Sequence, residues 1–140
     1  MHNEQKEMLL STLEDIKYSL ELIQKRAKNI NSSDDFLKDE NGLQKLDSIA
    51  MRLSAIGEGF KNIDKLSNNQ LLIKYPNIPW KNVKGIRDIL SHHYFDLDAE
   101  VIFNICKDFN KGIVQIVFGF ISILTIFQRQ HKQNILIHLV

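Results

Sequence analysis

Arg87, His92 and Tyr94 stand at R-x4-H-x-Y spacing within the stretch Gly85-Ile-Arg-Asp-Ile-Leu-Ser-His-His-Tyr94. A guanidinium stays protonated and presents a planar fork of donors suited to a phosphate. An imidazole is the side chain whose ordinary pKa lets it both take and give a proton near neutrality. A fixed cation beside a proton carrier is the minimum needed for chemistry on a phosphodiester. The competing structural reading makes Arg87 a helix-end cation or the ion-pair partner of Asp88. Lys74, Lys81 and Lys84 precede Arg87 with no acid before Asp88, forming a local positive patch. Lys84, one turn before Arg87, is the stronger candidate for a phosphate contact, whereas Lys81 fits a solvated helix face equally well. His93 reads as a helper in the site or as a packing residue.

These residues must be carried by helices. Leu9, Leu13, Ile16, Leu20, Ile23 and Ala27 recur at alternating steps of four and three, the stripe of an amphipathic helix over residues 4–28. Asn29 to Asp35 collects residues that favour turns and caps, and reads as a loop. Helical spacing resumes through Leu43, Leu46, Ile49, Ala50, Leu53, Ile56, Gly57, Phe60 and Ile63. Gly57 and Gly59 weaken that helix by about 1 kcal/mol each relative to Ala, so a neighbouring helix is expected to approach closely at Gly57, near Glu58. After a polar segment from Ser67 to Ile78, Pro79 suits the first turn of a third helix. That helix carries Trp80, Val83, Ile86, Ile89 and Leu90 inward and runs to about Tyr94. Trp80 reads as a core anchor rather than a base-stacking platform. Asp96 or Asp98 can cap a fourth helix through Ala99, Val101, Ile102, Ile105 and Phe109. No strand alternation appears in this stretch, and the expected class is all-α, an antiparallel helical bundle.

Three motifs in order, Leu53-Ser-Ala-Ile-Gly-Glu-Gly59, Pro76-Asn-Ile-Pro-Trp80 and Gly85-Ile-Arg-Asp-Ile-Leu-Ser-His-His-Tyr94 with the following Asp96-Leu-Asp98, resemble the HEPN superfamily. Within it they resemble the HepT-like ribonuclease toxins of bacterial toxin-antitoxin pairs. The resemblance runs over roughly residues 4–111 and implies a HEPN-like four-helix core, a homodimer with paired Arg/His motifs across a two-fold axis, and RNA as substrate. It implies Arg87 and His92 as catalytic groups. It also implies Tyr94 as the residue to which a partner nucleotidyltransferase antitoxin attaches AMP; a core tyrosine is the plainer alternative. RNA brings its own nucleophile, the 2′-hydroxyl, so cleavage needs proton transfer and charge stabilisation but no cofactor or metal in principle. On a straight helix Arg87 and His92 point about 140° apart, whereas Arg87 and Tyr94 differ by only about 20°. Either the helix ends or distorts near His92, or a second protomer completes the site. A non-catalytic helical partner modified by the nucleotidyltransferase is the second reading of the whole chain.

Bulk properties narrow the options further. A chain of 140 residues with 44% hydrophobic and 25% charged residues fits one soluble domain. A formal charge of +1 excludes RNA binding by bulk electrostatics and leaves the local patch to do it. The single cysteine, Cys106, suits a reducing cytoplasm and leaves no thiol cluster for metal. His2, His131 and His138 lack ligand spacing. The Met1 to Glu7 segment is polar, unlike a secretory leader. Residues 112–140 form an atypical apolar tail. Its uncharged run is short of the about 20 residues of a membrane span, so it reads as a terminal core or interface helix. An out-of-frame end or a membrane-active helix are the alternatives, and no membrane partner is expected.

Overall fold

The computed structural model describes residues 3–93 and 96–109, and beyond them residues 112, 113, 117, 119, 121, 122, 125, 126, 129, 130 and 133; His92, His93 and Phe109 are described by backbone alone. The protein is an all-α bundle. Its frame is a pair of long helices, α1 (Asn3–Ala27) and α3 (Glu40–Leu66). Leu9, Leu13, Ile16, Leu20 and Ile23 of α1 are buried against Leu46, Ile49, Leu53, Ile56, Phe60 and Ile63 of α3, as the four-and-three spacing dictates. Leu43 does not follow its stripe and is exposed.

The segment expected as a loop holds a short helix, α2 (Asp34–Leu37), whose Phe36 is fully buried. A single aromatic in a polar stretch leaves no periodicity to read, yet it plugs the bundle end. Gly42 allows this, because a Cβ there would fall on the Asp35 carbonyl oxygen. Asp39 caps α3, its carboxylate accepting from the Gly42 N–H at 2.7 Å. After α3, Asn68 and Asn69 take left-handed φ of 52° and 60° and turn the chain. A 3-10 turn follows at Leu72–Lys74.

The third helix departs from expectation. It is two five-residue pieces, α4 (Trp80–Lys84) and α5 (Ile86–Leu90), broken at Gly85, whose φ of −95° and ψ of 19° leave the helical region. Pro79 is the residue before α4 rather than its first, and its carbonyl accepts from the N–H groups of Asn82 and Val83. α5 stops at Leu90 instead of reaching Tyr94. Ser91 turns extended, and a two-stranded antiparallel ribbon forms between β1 (Ser91–His93) and β2 (Asp96–Leu97). This ribbon corrects the expectation of no strands. Three residues of β1 and two of β2 are too few to show alternation. Ile89, assigned inward on a continuous helix, is exposed.

The Asp98 N–H donates to the Leu90 carbonyl at 2.8 Å and closes the ribbon. Asp98, not Asp96, caps α6 (Ala99–Phe109), accepting from the Val101 N–H at 3.0 Å. Trp80 anchors α4 to the core. Its ring lies 5.0 Å from Phe60, and its Nε1–H donates to the Tyr75 carbonyl at 3.0 Å. The core continues past residue 111 through Ile113 and Val117. Among the described residues no helix is long and apolar enough to cross a membrane.

Candidate functional site

The close approach anticipated at Gly57 is what seats the site. A Cβ at Gly57 would lie 2.8 Å from Ile86 Cγ2, 2.9 Å from the Val83 carbonyl oxygen and 3.3 Å from that of Lys84. α3 therefore carries the α4–α5 joint directly on its backbone. Glu58 itself faces solvent and pairs with Lys61 at 3.0 Å. Val83, Ile86 and Leu90 bury the inner side of the joint, which leaves Arg87 on the outer side, exposed.

Arg87 lines a cleft of about 650 Å³ with Asp47, Ala50, Met51 and Ser54 of α3, and with Leu90, Ser91 and Leu97 from the end of α5 and the ribbon. Met51 is 75% exposed at its edge. Arg87 forms no ion pair with Asp88 among the described residues, whereas the other structural alternative, a helix-end cation, fits its place in the last turn of α5. The α3 residues of this cleft could not be found by spacing around Arg87, because they come from a distant helix; only the period of α3 hints at which of them share a face.

His92 lies in β1, beyond the end of α5. Ser91 pairs with Leu97 and His93 with Asp96, so two steps along β1 answer one along β2 and His92 is the extra residue of a bulge. Bulges bend a strand locally and re-aim the side chain they carry. The 140° helical angle between Arg87 and His92 therefore does not apply: the helix ends before His92, as the first of the two explanations has it. The directions of the His92 and His93 side chains lie outside the description. Tyr94 lies outside the described residues altogether, and the inference that it shares a face with Arg87 falls, because that inference required α5 to continue.

Among the lysines, Lys81 is exposed, as a phosphate contact requires. Lys84 is not free: its ammonium pairs with the Asp64 carboxylate at 2.5 Å, and both side chains are largely covered. That pairing alters its expected role as an open phosphate contact. Asp64 was invisible to the sequence reading because its partner is a loop and a helix away. Cys106 of α6 is half-buried, and burial pushes its thiol up to about 11. It is a packing thiol rather than a nucleophile at neutral pH. Among the described residues, no cluster of three or more His, Cys, Asp or Glu is arranged to hold a metal ion.

The family model described as "Ribonuclease HepT-like" matches residues 16–117, which takes in the second half of α1, all of α3, the α4–α5 joint, the ribbon and α6. The chain belongs to the HepT-like ribonuclease family. It is 40% identical over 72 residues to "Putative RNase MJ0127" of Methanocaldococcus jannaschii, covering 51% of this chain and 54% of that one. It is 34% identical over 96 residues to "Probable ribonuclease HepT" of Thermococcus cleftensis, covering 69% of this chain and 80% of that one. A third relative, "Putative RNase TTE0752" of Caldanaerobacter subterraneus, is 34% identical over 90 residues, covering 64% and 73%. The chain thus spans about half the length of the first of these relatives and about three quarters or more of the other two. No solved structure matches it.

Proposed function

We propose that this HepT-like protein is an endoribonuclease that cleaves RNA through its own 2′-hydroxyl, with Arg87 and His92 as the catalytic pair. The observation that carries the reading is Arg87, exposed and without an ion-pair partner among the described residues, in an open cleft at the end of α5, with the His92 bulge directly following, inside the stretch matched by the ribonuclease family. In the reaction His92 takes the 2′-hydroxyl proton as the 2′-oxygen attacks phosphorus. The bond to the 5′-oxygen breaks, and that oxygen receives a proton. The products are a 2′,3′-cyclic phosphate and a 5′-hydroxyl. Proton transfer by a positioned imidazole contributes typically about 10²- to 10⁴-fold. Arg87 donates two parallel hydrogen bonds to the phosphorane oxygens as their charge develops. Lys81 contributes charge to the RNA backbone, and His93 flanks the site.

The reading extends to a homodimer whose two clefts face one another, so that one His92 can act as base and the other as acid. It extends also to a toxin role in the cytoplasm, relieved by a nucleotidyltransferase antitoxin that places AMP on Tyr94. Such an adduct adds negative charge and bulk within a few residues of His92.

Cleavage of end-labelled RNA in EDTA, by wild type and by His92→Ala, tests the catalytic reading. Cutting by wild type alone, with cyclic phosphate ends, supports it. No cutting by a folded, AMP-free wild-type protein overturns it in favour of a non-catalytic partner of the nucleotidyltransferase. Sedimentation of the same preparations reads the dimer.

A further inference from the structure

α5 is five residues long, too short to hold a direction by its own hydrogen bonding. Where Arg87 points is therefore set by what holds the two ends of α5. The C-terminal end is held by buried Leu90 and by the Asp98 N–H on its carbonyl. At the N-terminal end Ile86 packs on α3 at Gly57, but the residue before it, Gly85, has no side chain to fix the angle of the joint.

Lys84 adds a polar tie to the apolar seat made by Val83 and Ile86. Its backbone carbonyl rests over Gly57, and its ammonium is bound by Asp64, about two turns further along the same face of α3. Three other described ion pairs, Lys17–Glu21, Lys38–Asp35 and Lys61–Glu58, join residues three or four positions apart. Lys84–Asp64 is different in kind: it ties the α4–α5 joint to α3, and its side chains are only 31% and 16% exposed. Screening by water and salt is weaker for such a covered pair than for an open one.

We infer that Asp64 and Lys84 form an ionic strut that positions Arg87, and that Lys84 acts through this strut rather than by touching RNA phosphate. The inference rests on the ribonuclease reading for its kinetic consequence and on the geometry alone for its structural one. A phosphate contact must surrender its ammonium to the substrate, and doing so here would release the joint that aims Arg87. Neither residue touches the reacting atoms; both are positioning residues.

The test uses Asp64→Asn, Lys84→Met, the double variant, and the exchanged pair Asp64→Lys with Lys84→Asp. Methionine keeps an apolar stem of similar length and removes the ammonium, with its charge and its hydrogen-bond donors. Each single variant is expected to lower kcat about tenfold with KM within about twofold, since a small misplacement of a catalytic group weakens the transition state more than substrate binding. The double variant should be no worse than either single one, and the exchanged pair should recover most of the rate. The salt dependence of RNA binding should stay unchanged throughout, because no phosphate contact is removed. A raised KM and a shallower salt slope in Lys84→Met, with Asp64→Asn at full rate, would overturn the inference and restore Lys84 as a phosphate contact.

If wild type does not cleave RNA, the ribonuclease reading fails and amide exchange decides the strut. Faster exchange across Ile86–Leu90 in both single variants, with α1 unchanged and protection regained in the exchanged pair, supports it. Unchanged exchange there overturns it.

Discussion

Gly57→Ala places a methyl group where α3 carries the α4–α5 joint. The new carbon would start 2.8 Å from Ile86 Cγ2 and 2.9 Å from the Val83 carbonyl oxygen. Comfortable carbon contacts begin near about 3.5 Å, so the joint must retreat by roughly 0.6 Å, and the backbone carbonyl cannot rotate away as a side chain could. Alanine is favoured over glycine inside a helix by about 1 kcal/mol. Overpacking a close contact costs about 1–3 kcal/mol. The net loss of stability is therefore small, about 0–2 kcal/mol, and the fall in Tm should stay below about 10 °C for a domain of this size. The loss of activity should be larger. A sub-ångström retreat carries Arg87 with it, and on the ribonuclease reading cleavage should fall about 10- to 100-fold.

Gly59→Ala is the control. There the new carbon meets side-chain atoms alone, Ile16 Cγ1 and Cδ1 at 2.9 Å and Thr12 Cγ2 at 3.9 Å, in the α1–α3 seam away from the Arg87 cleft. Its cleavage rate should match wild type, with Tm within about 4 °C. Single-turnover cleavage of labelled RNA and thermal melts of the three proteins measure both quantities. A Gly57→Ala protein with wild-type rate and wild-type Tm would refute the account of how α3 seats the joint.

Two further outcomes follow from the geometry. Asp39→Ala removes the acceptor for the Gly42 N–H and should destabilise the fold by about 1 kcal/mol, read as a lower urea midpoint with an unchanged m-value; an unchanged midpoint would show that the cap contributes nothing. The Cys106 thiol, held up to about 11 by burial, should react with a maleimide far more slowly at pH 7.5 in the native protein than in urea. Because its folded pKa is raised, the contribution of the protonated thiol to stability is fully present below its unfolded pKa and declines as pH rises towards about 11. Equal labelling rates in native and unfolded protein would contradict the burial.

The two long helices and their buried faces were legible in the chain because burial against one partner repeats every 3.6 residues, and Leu9 to Ile23 and Leu46 to Ile63 keep that period for many turns. The close approach at Gly57 was legible for a related reason: glycine inside a long helix needs a neighbour to justify it. Arg87 was legible only by residue type and by its spacing to His92; on a continuous helix it lies three or four positions from Val83 and Leu90, so the period alone does not expose it.

Shorter elements carry too few residues for any period to show. Phe36 plugs the bundle from a four-residue helix, and the break at Gly85 and the stop at Leu90 interrupt what reads as one continuous stripe. Whether a glycine bends a helix depends on what packs beside it, and here α3 holds the bend, with Ile86 and the Val83 carbonyl against Gly57. The bulge that takes His92 off the helix is set by how β1 and β2 pair, and the cleft beside Arg87 by residues of α3 that lie far from it in sequence. Lys84 shows the division most plainly. Its neighbours in the chain mark it as part of a basic patch, but an ammonium goes to the nearest carboxylate in space, and only the packing of α4 on α3 brings Asp64 within its reach.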